Sequence, residues 1–312
     1  MTKILITGVG GLLGSRLADW IINNTNNDVV GIDDFSGGYI ENVNKKINFN
    51  KFNLTNLDKL YDVFKKEKIE IVYHFAAYAA EGLSPFIRKF NYENNVIAST
   101  NLITCSIEYN VKRFVFASSM AVYGDKYEPP FDEELIQSPI DPYGIAKYAV
   151  EMDLKLANDF FGLKYNIVRP HNVVGIYQNI WDRYRNVIGI WIRKILNNEP
   201  VTIFGDGKQT RSFCYVDDLI EGMFKLMYSD LDTPVNIGNP ENYTIIELAK
   251  KIRNLINPSL EFKFSPMPQD DPLQRQPNIE KAKKELNWQP KINLDEGIKL
   301  TIDWFKKNNF QK

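Results

Sequence analysis

Apolar positions in the first 170 residues alternate between two patterns. Unbroken runs at Ile4-Leu5-Ile6, Val29-Val30-Gly31-Ile32, Ile71-Val72-Tyr73-His74-Phe75 and Arg113-Phe114-Val115-Phe116-Ala117 read as strands buried on both faces, and Ile47-Asn48-Phe49 as a shorter one. Between them, apolar residues spaced for one helix face predict helices over Ser15–Ile22, through Leu57, Leu60 and Phe64, and from about Tyr92 to Tyr109. Strands alternating with helices predict a doubly wound α/β fold with a parallel sheet. A Pro- and acid-rich loop runs from Tyr123-Gly124 to Pro142, followed by a helix over Tyr143–Phe161 and a strand over Tyr165–Arg169. Beyond it the alternation breaks up, with helical patterns at Val187–Leu196, Leu219–Met227 and Ile245–Ile256. The expected organisation is a nucleotide-binding domain over 1–168 plus about 213–236. A smaller, partly interleaved substrate region would cover 169–212 and 237–312.

Composition narrows the function by exclusion. The chain has 312 residues, 44% hydrophobic and 25% charged, enough for full cores. Its formal net charge of -1 supplies no field for nucleic acid or anionic lipid. Cys105 and Cys214 are far apart, which points to a reducing, cytoplasmic setting, and two histidines with two cysteines argue against a metal cluster. No apolar run approaches the length of about 18 residues that a membrane span needs.

The chemistry starts where the first strand ends. Thr7-Gly8-Val9-Gly10-Gly11-Leu12-Leu13-Gly14 links strand to helix, and such a turn lets helix N-terminal amides approach a pyrophosphate. Leu13 breaks the G-x-G-x-x-G spacing; Gly8, Gly11 and Gly14 give G-x-x-G-x-x-G instead. Asp33 ends the second strand about 20 residues on, where a carboxylate bonds ribose hydroxyls and disfavours a 2'-phosphate, so NAD is expected over NADP. The other role for Asp33 is a turn cap. Tyr143 and Lys147 sit one helical turn apart, so an ammonium lies beside a phenol and stabilises its phenolate. Ser118-Ser119 end an upstream strand, placing Ser119 to pass protons between a substrate oxygen and Tyr143. Tyr61 and Lys65 repeat the spacing without that context and read as a solvated helix face. His74 reads as a packed or locally bonded core residue.

Together these residues resemble the extended short-chain dehydrogenase/reductase superfamily, in its NAD-dependent nucleotide-sugar epimerase/dehydratase branch, most closely the UDP-glucose 4-epimerase type. The resemblance spans nearly the whole chain. It includes the glycine turn, Asp33, His74-Phe75-Ala76-Ala77, Ser118-Ser119-x-x-Val122-Tyr123-Gly124, Pro142-Tyr143-Gly144-x-x-Lys147 and Arg169-x-x-Asn172-x-x-Gly175. It continues through Phe204-Gly205-Asp206-Gly207-x-Gln209-x-Arg211 and Asp271-Pro272 to Trp288-x-Pro290. The resemblance implies a Rossmann-type sheet, resident NAD and C4 epimerisation of a UDP-hexose through a transient 4-keto sugar. Tyr143 would act as the base, with Lys147 and Ser119 assisting. By resemblance, NAD would also meet Leu12, Leu13, Asn53, Leu54, Phe75, Ala76 and Ala77. The UDP-sugar would meet Glu81, His171, Asn172, Asn186, Val187, Phe204, Arg211 and Arg275. A homodimer built on the helices at 92–109 and 143–161 is implied as well.

Several positions depart from the family pattern. Dehydratases and decarboxylases place carboxylates in the two positions after the catalytic Ser/Thr, where this chain has Met120 and Ala121. Arg275 points the other way, since family decarboxylases carry an arginine in a similar place, and it leaves an acidic sugar open. Asn53 replaces the usual aspartate near adenine, and Glu81 brings a carboxylate to the expected sugar pocket. His171 stands where an aromatic is common, with pocket and core both open to it. The alternatives to epimerisation are a nucleotide-sugar decarboxylase or dehydratase and a non-catalytic NAD-binding protein.

Overall fold

Ile4, Leu5 and Ile6 are fully buried and divide between the two faces of one sheet. Ile4 and Ile6 pack in the cluster that holds Leu17 and Ile21, whereas Leu5 packs in the one that holds Leu60, Phe64, Leu102 and Val150. The two-residue period of a strand thus feeds two helical layers from one apolar run.

The computed structural model describes residues 2–182, 184, 186–266 and 274–308. β1 (Lys3–Thr7) passes through the glycine turn into α1 (Leu12–Asn24), and β2 (Asp28–Asp33), β3 (Asn48–Lys51), α2 (Leu57–Glu67) and β4 (Ile71–His74) follow. α3 (Arg88–Tyr92) runs through a π turn at Glu93–Ile97 into α4 (Ala98–Glu108). Next come β5 (Arg113–Ala117), α5 (Pro142–Phe161) and β6 (Tyr165–Pro170). β7 (Val173–Val174), α6 (Val187–Leu196), β8 (Val201–Phe204), β9 (Thr210–Ser212), β10 (Cys214–Tyr215), α7 (Val216–Met227) and β11 (Val235–Ile237) continue the chain. It ends with β12 (Asn242–Thr244), α8 (Ile245–Ile256), β13 (Phe262–Ser265), β14 (Gln274–Arg275), α9 (Glu280–Leu286) and α10 (Leu294–Lys307).

Seven strands form the main sheet in the order β11-β6-β5-β4-β1-β2-β3, every neighbouring pair parallel. This is the doubly wound, Rossmann-type sheet that the alternating pattern predicts. Winding reverses between β1 and β4, which opens a crevice at the strands' carboxyl ends. Three small sheets, β7 with β10, β8 with β13, and β12-β9-β14, come from the later part of the chain. No helix among the described residues is long and apolar enough to cross a membrane.

Some boundaries differ from expectation. α1 begins at Leu12, ahead of Ser15, because Gly11 is its N-cap and the last glycine of the turn is already helical. The helix expected from Tyr92 begins at Arg88 and contains the π turn, an inserted residue that apolar spacing does not reveal. α6 and α8 match their expected spans. The Asp271-Pro272 pair lies outside the described residues.

Candidate active site

The crevice is a single cleft of ≈ 1450 Å³ bounded by both halves of the chain. That exceeds the usual range for one small ligand, about 300–1,000 Å³, and leaves space for two. Gly8, Gly11, Leu12, Leu13 and Gly14 line one end. A side chain at Gly14 would lie 2.2 Å from the Gly8 carbonyl oxygen, and Gly8 has φ +73, so both positions require glycine. No side chain caps α1, leaving its first-turn amides to the cleft. Asp33 Oδ2 accepts from Gly10 N at 2.8 Å and Oδ1 from Phe35 N at 2.7 Å. It therefore caps the turn and also lines the cleft. Burial pushes its carboxyl up, against those two N–H donors. Close-packed glycines, uncapped amides and a strand-end carboxylate fit a dinucleotide.

The neighbouring strand ends reach the same cleft. Phe75, Ala76, Ala77, Asn53 and Leu54 all line it. Asn53 Oδ1, the atom expected to meet adenine, accepts from Thr55 N and Oγ1 at 2.9 and 2.8 Å. Its Nδ2 donates to Asp34 Oδ2 and Asn94 Oδ1. His74 is 1% exposed and lies behind this wall. Ser99 Oγ donates to Asn95 O and so accepts from His74 Nε2 (2.8 Å); His74 Nδ1 then accepts from Thr7 Oγ1 (2.7 Å). Thr7 Oγ1 in turn accepts from Ala76 N. Burial lowers the His74 pKa to about 3, consistent with a neutral ring that links β1 and β4.

Ser119, Tyr143 and Lys147 converge on the cleft from the end of β5 and the start of α5. Asp141 sets the start of that helix, its Oδ1 accepting from Tyr143 N at 2.8 Å and Gly144 N at 2.9 Å. Ser119 Oγ accepts from Ala121 N at 3.1 Å. Lys147 Nζ donates to Ala117 O at 2.8 Å and lies 5.8 Å from the centre of the Tyr143 ring. Burial pushes the Lys147 ammonium down to about 7, while Glu151 favours its charge. Glu151 is itself held by Arg169, at 3.0 Å from Nε and 2.6 Å from Nη2, and accepts from Ser118 Oγ. Tyr61 instead donates to Glu108, and Lys65 is exposed, away from the cleft.

The far side of the cleft carries Asn172, Asn186, Val187, Phe204, Arg211 and Arg275, all expected there. Asn186 caps α6 through Ile188 N and donates to Val173 O, whereas Asn172 donates to Ser212 O. Phe204 is 45% exposed, as a stacking platform requires. His171 resolves to the core: it is fully buried, is not among the residues bounding the cleft, and its Nε2 lies 3.4 Å from Asn236 Oδ1. A side chain at Gly238 would lie 3.0 Å from the His171 Cβ, so the two backbones pack closely there. Glu81 and Arg275 both line the cleft and form a bidentate pair, 2.8 and 2.5 Å. Burial opposes the Glu81 charge, yet the Arg275 guanidinium holds its carboxyl below the usual range.

Arg193, Gln178 and Asp141 also line the cleft and were not singled out from sequence. Arg193 Nε, Gln178 Oε1 and Asp141 Oδ2 are buried with no hydrogen-bond partner among the described residues. Only Asp141, just before Pro142-Tyr143, carried a readable signal, that of an N-cap followed by proline.

Residues 4–238 match the model of the NAD dependent epimerase/dehydratase family. The chain is 34% identical to UDP-glucuronic acid decarboxylase 6 of Arabidopsis thaliana, over 97% of this chain and 89% of the relative. Among solved structures, UDP-glucose 4-epimerase of Thermotoga maritima with UDP-glucose is similar at a TM-score of 0.95 and 34% identity, covering 99% of this chain and 100% of that one. UDP-glucuronic acid 4-epimerase of Bacillus cereus, in complex with UDP-glucuronic acid and NAD, is similar at a TM-score of 0.89 and 27% identity, covering 98% and 100%.

Proposed function

Because the chain belongs to the NAD-dependent epimerase/dehydratase family, with NAD as its cofactor, we propose that it interconverts the C4 configuration of a UDP-hexose through a 4-keto sugar. The observation that carries this reading is the meeting of Ser119, Tyr143 and Lys147 in the cleft that the glycine turn bounds. Met120 and Ala121, where further proton-transfer carboxylates would stand, support simple oxidation and reduction over loss of water or CO2.

Gly8, Gly11 and Gly14 hold the dinucleotide's phosphates against α1, and the Asp33 carboxylate favours ribose hydroxyls over a 2'-phosphate. When bound, NAD supplies a ring that accepts a hydride and can return it. Tyr143 Oη takes the proton of the sugar 4-hydroxyl and later gives it back. Lys147, within reach of the phenol's field, favours its ionised form. Ser119 Oγ orients the same sugar oxygen. Asn172 and Arg211 bind the diphosphate, Arg211 through a fork suited to phosphate oxygens. Phe204 stacks on the base. Asn186 and Val187 line the nucleotide's approach. The protein acts as a homodimer through α4 and α5.

A second reading, decarboxylation of a UDP-hexuronate, is favoured by the Arabidopsis thaliana relative and by Arg275. The two separate in one assay. Incubation with UDP-glucose should yield UDP-galactose with no net NADH, and Tyr143→Phe should lower that rate by about 10³-fold, within the usual range for removing a positioned acid/base, while NAD stays bound. CO2 release from UDP-glucuronate, with no change at C4 of UDP-glucose, would overturn the epimerase reading.

A further inference from the structure

We infer that the Glu81–Arg275 ion pair fixes the charge of the sugar that the cleft accepts, favouring an uncharged hexose over a hexuronate. This rests on the UDP-sugar reading above and extends it to the sugar of the substrate.

The argument begins with strand register. β14 pairs in parallel with β9, and Arg275 stands opposite Arg211. Neighbouring strands lie about 4.8 Å apart, so the pairing sets two arginines side by side on one wall of the cleft. Two adjacent guanidiniums would make that wall a strong anion site. Glu81 changes this from the opposite half of the chain, 194 residues away in sequence. Its carboxylate takes Arg275 Nη1 at 2.8 Å and Nη2 at 2.5 Å, the two-pronged geometry that an arginine otherwise offers a ligand carboxylate.

Glu81 is also linked to the segment that carries the base, and the pair shares its cleft. Glu81 opens the short 3-10 turn Glu81–Phe86, which follows the Ala76-Ala77 wall. Within that turn Ser84 Oγ donates to Glu81 O at 2.8 Å and lies 3.2 Å from Tyr143 N. Glu81 is thus tied, through its backbone carbonyl and the Ser84 hydroxyl, to the backbone of the residue that carries the base. A sugar carboxylate brought to Arg275 would have to break the pair and then lie against the displaced Glu81, like charge beside like charge. A hydroxymethyl group requires neither.

The test measures binding to the NAD-loaded protein by titration calorimetry, with UDP-glucose and UDP-glucuronate as probes. The wild type should bind UDP-glucose at least about tenfold more tightly, and Glu81→Gln should shift the ratio towards UDP-glucuronate by about tenfold or more, the scale of a close charge pair made or lost. The double variant Glu81→Gln/Arg275→Gln should lose that gain, since no guanidinium remains to receive the uronate. Each ratio compares two ligands on one preparation, so a general loss of stability does not mimic the effect. A wild type that prefers UDP-glucuronate, a ratio that Glu81→Gln leaves in place, or an equal gain in the double variant would each overturn the inference. The C4 reaction is read separately. Tight UDP-glucose binding without interconversion refutes the proposed reaction alone, whereas C4 inversion of a preferred uronate refutes this inference alone.

Discussion

At the scale of single residues, one helical turn and one strand-to-turn junction bring the three reacting side chains to the cleft. Tyr143 and Lys147 share a helix face because they are one turn apart, and Ser119 follows the end of β5 by two residues as the N-cap of a 3-10 turn, so each could be placed near the cleft before its neighbours were known. Arg193 and the Glu81–Arg275 pair were not legible as a group, because only tertiary contact says which surface a lone charge faces. The histidines give a pH prediction of definite sign. Burial lowers both His74 and His171 to about 3, whereas in the unfolded chain each protonates near 6.5. Between those values the unfolded state binds more protons, so stability falls as pH drops through the window, by up to about 1.4 kcal/mol per pH unit for each ring. Urea midpoints at pH 7 and pH 5 should therefore separate less in His74→Gln than in the wild type. Equal separations would show that His74 is not held neutral.

At the scale of elements, apolar periodicity identified the strands of the main sheet up to β6 and most of its helices, because these bury one continuous stripe or run. It did not identify the short strands β7 to β14, the helices α9 and α10 or the π turn, the last of which sits among polar contacts across the chain. Asn95 accepts from Tyr78 N and donates to Tyr78 O, while Asn91 donates to Pro142 O. Through these two amides α3 holds the first residue of α5 and the turn at Glu93–Ile97 holds the cofactor-side loop. The start of α5 depends as much on Asp141, which satisfies two of the helix's unpaired N–H groups, those of Tyr143 and Gly144. Asp141→Ala should cost about 1–2 kcal/mol, as loss of an N-cap does, and lower turnover because Tyr143 sits in the first turn. Asp141→Asn retains an acceptor oxygen and should recover most of the melting temperature. Equal losses in the two variants would reject the capping account.

At the scale of the whole molecule, one feature of the surface has no counterpart in the active-site chemistry. Ile145, Met152, Leu156 and Phe160 are 44%, 54%, 50% and 75% exposed on α5. Steps of seven, eleven and fifteen residues return to within about 60° of one direction on an α-helix, so these four side chains form a single apolar stripe. Ile97, 50% exposed, stands at the junction with α4, which packs directly on α5. A contiguous exposed stripe of this kind marks an interface. Two copies meeting through α4 and α5 would cover it, and would brace the opposite face of the helix that carries Tyr143 and Lys147. The mass in solution at micromolar concentration should be twice the 36.1 kDa of one chain. Leu156→Arg with Phe160→Arg should weaken association by about 100-fold or more, since charges in the core of an interface remain desolvated and unpaired. Light scattering across a dilution series reads both numbers. A wild-type protein that stays monomeric throughout would refute the dimer and leave the stripe to another partner.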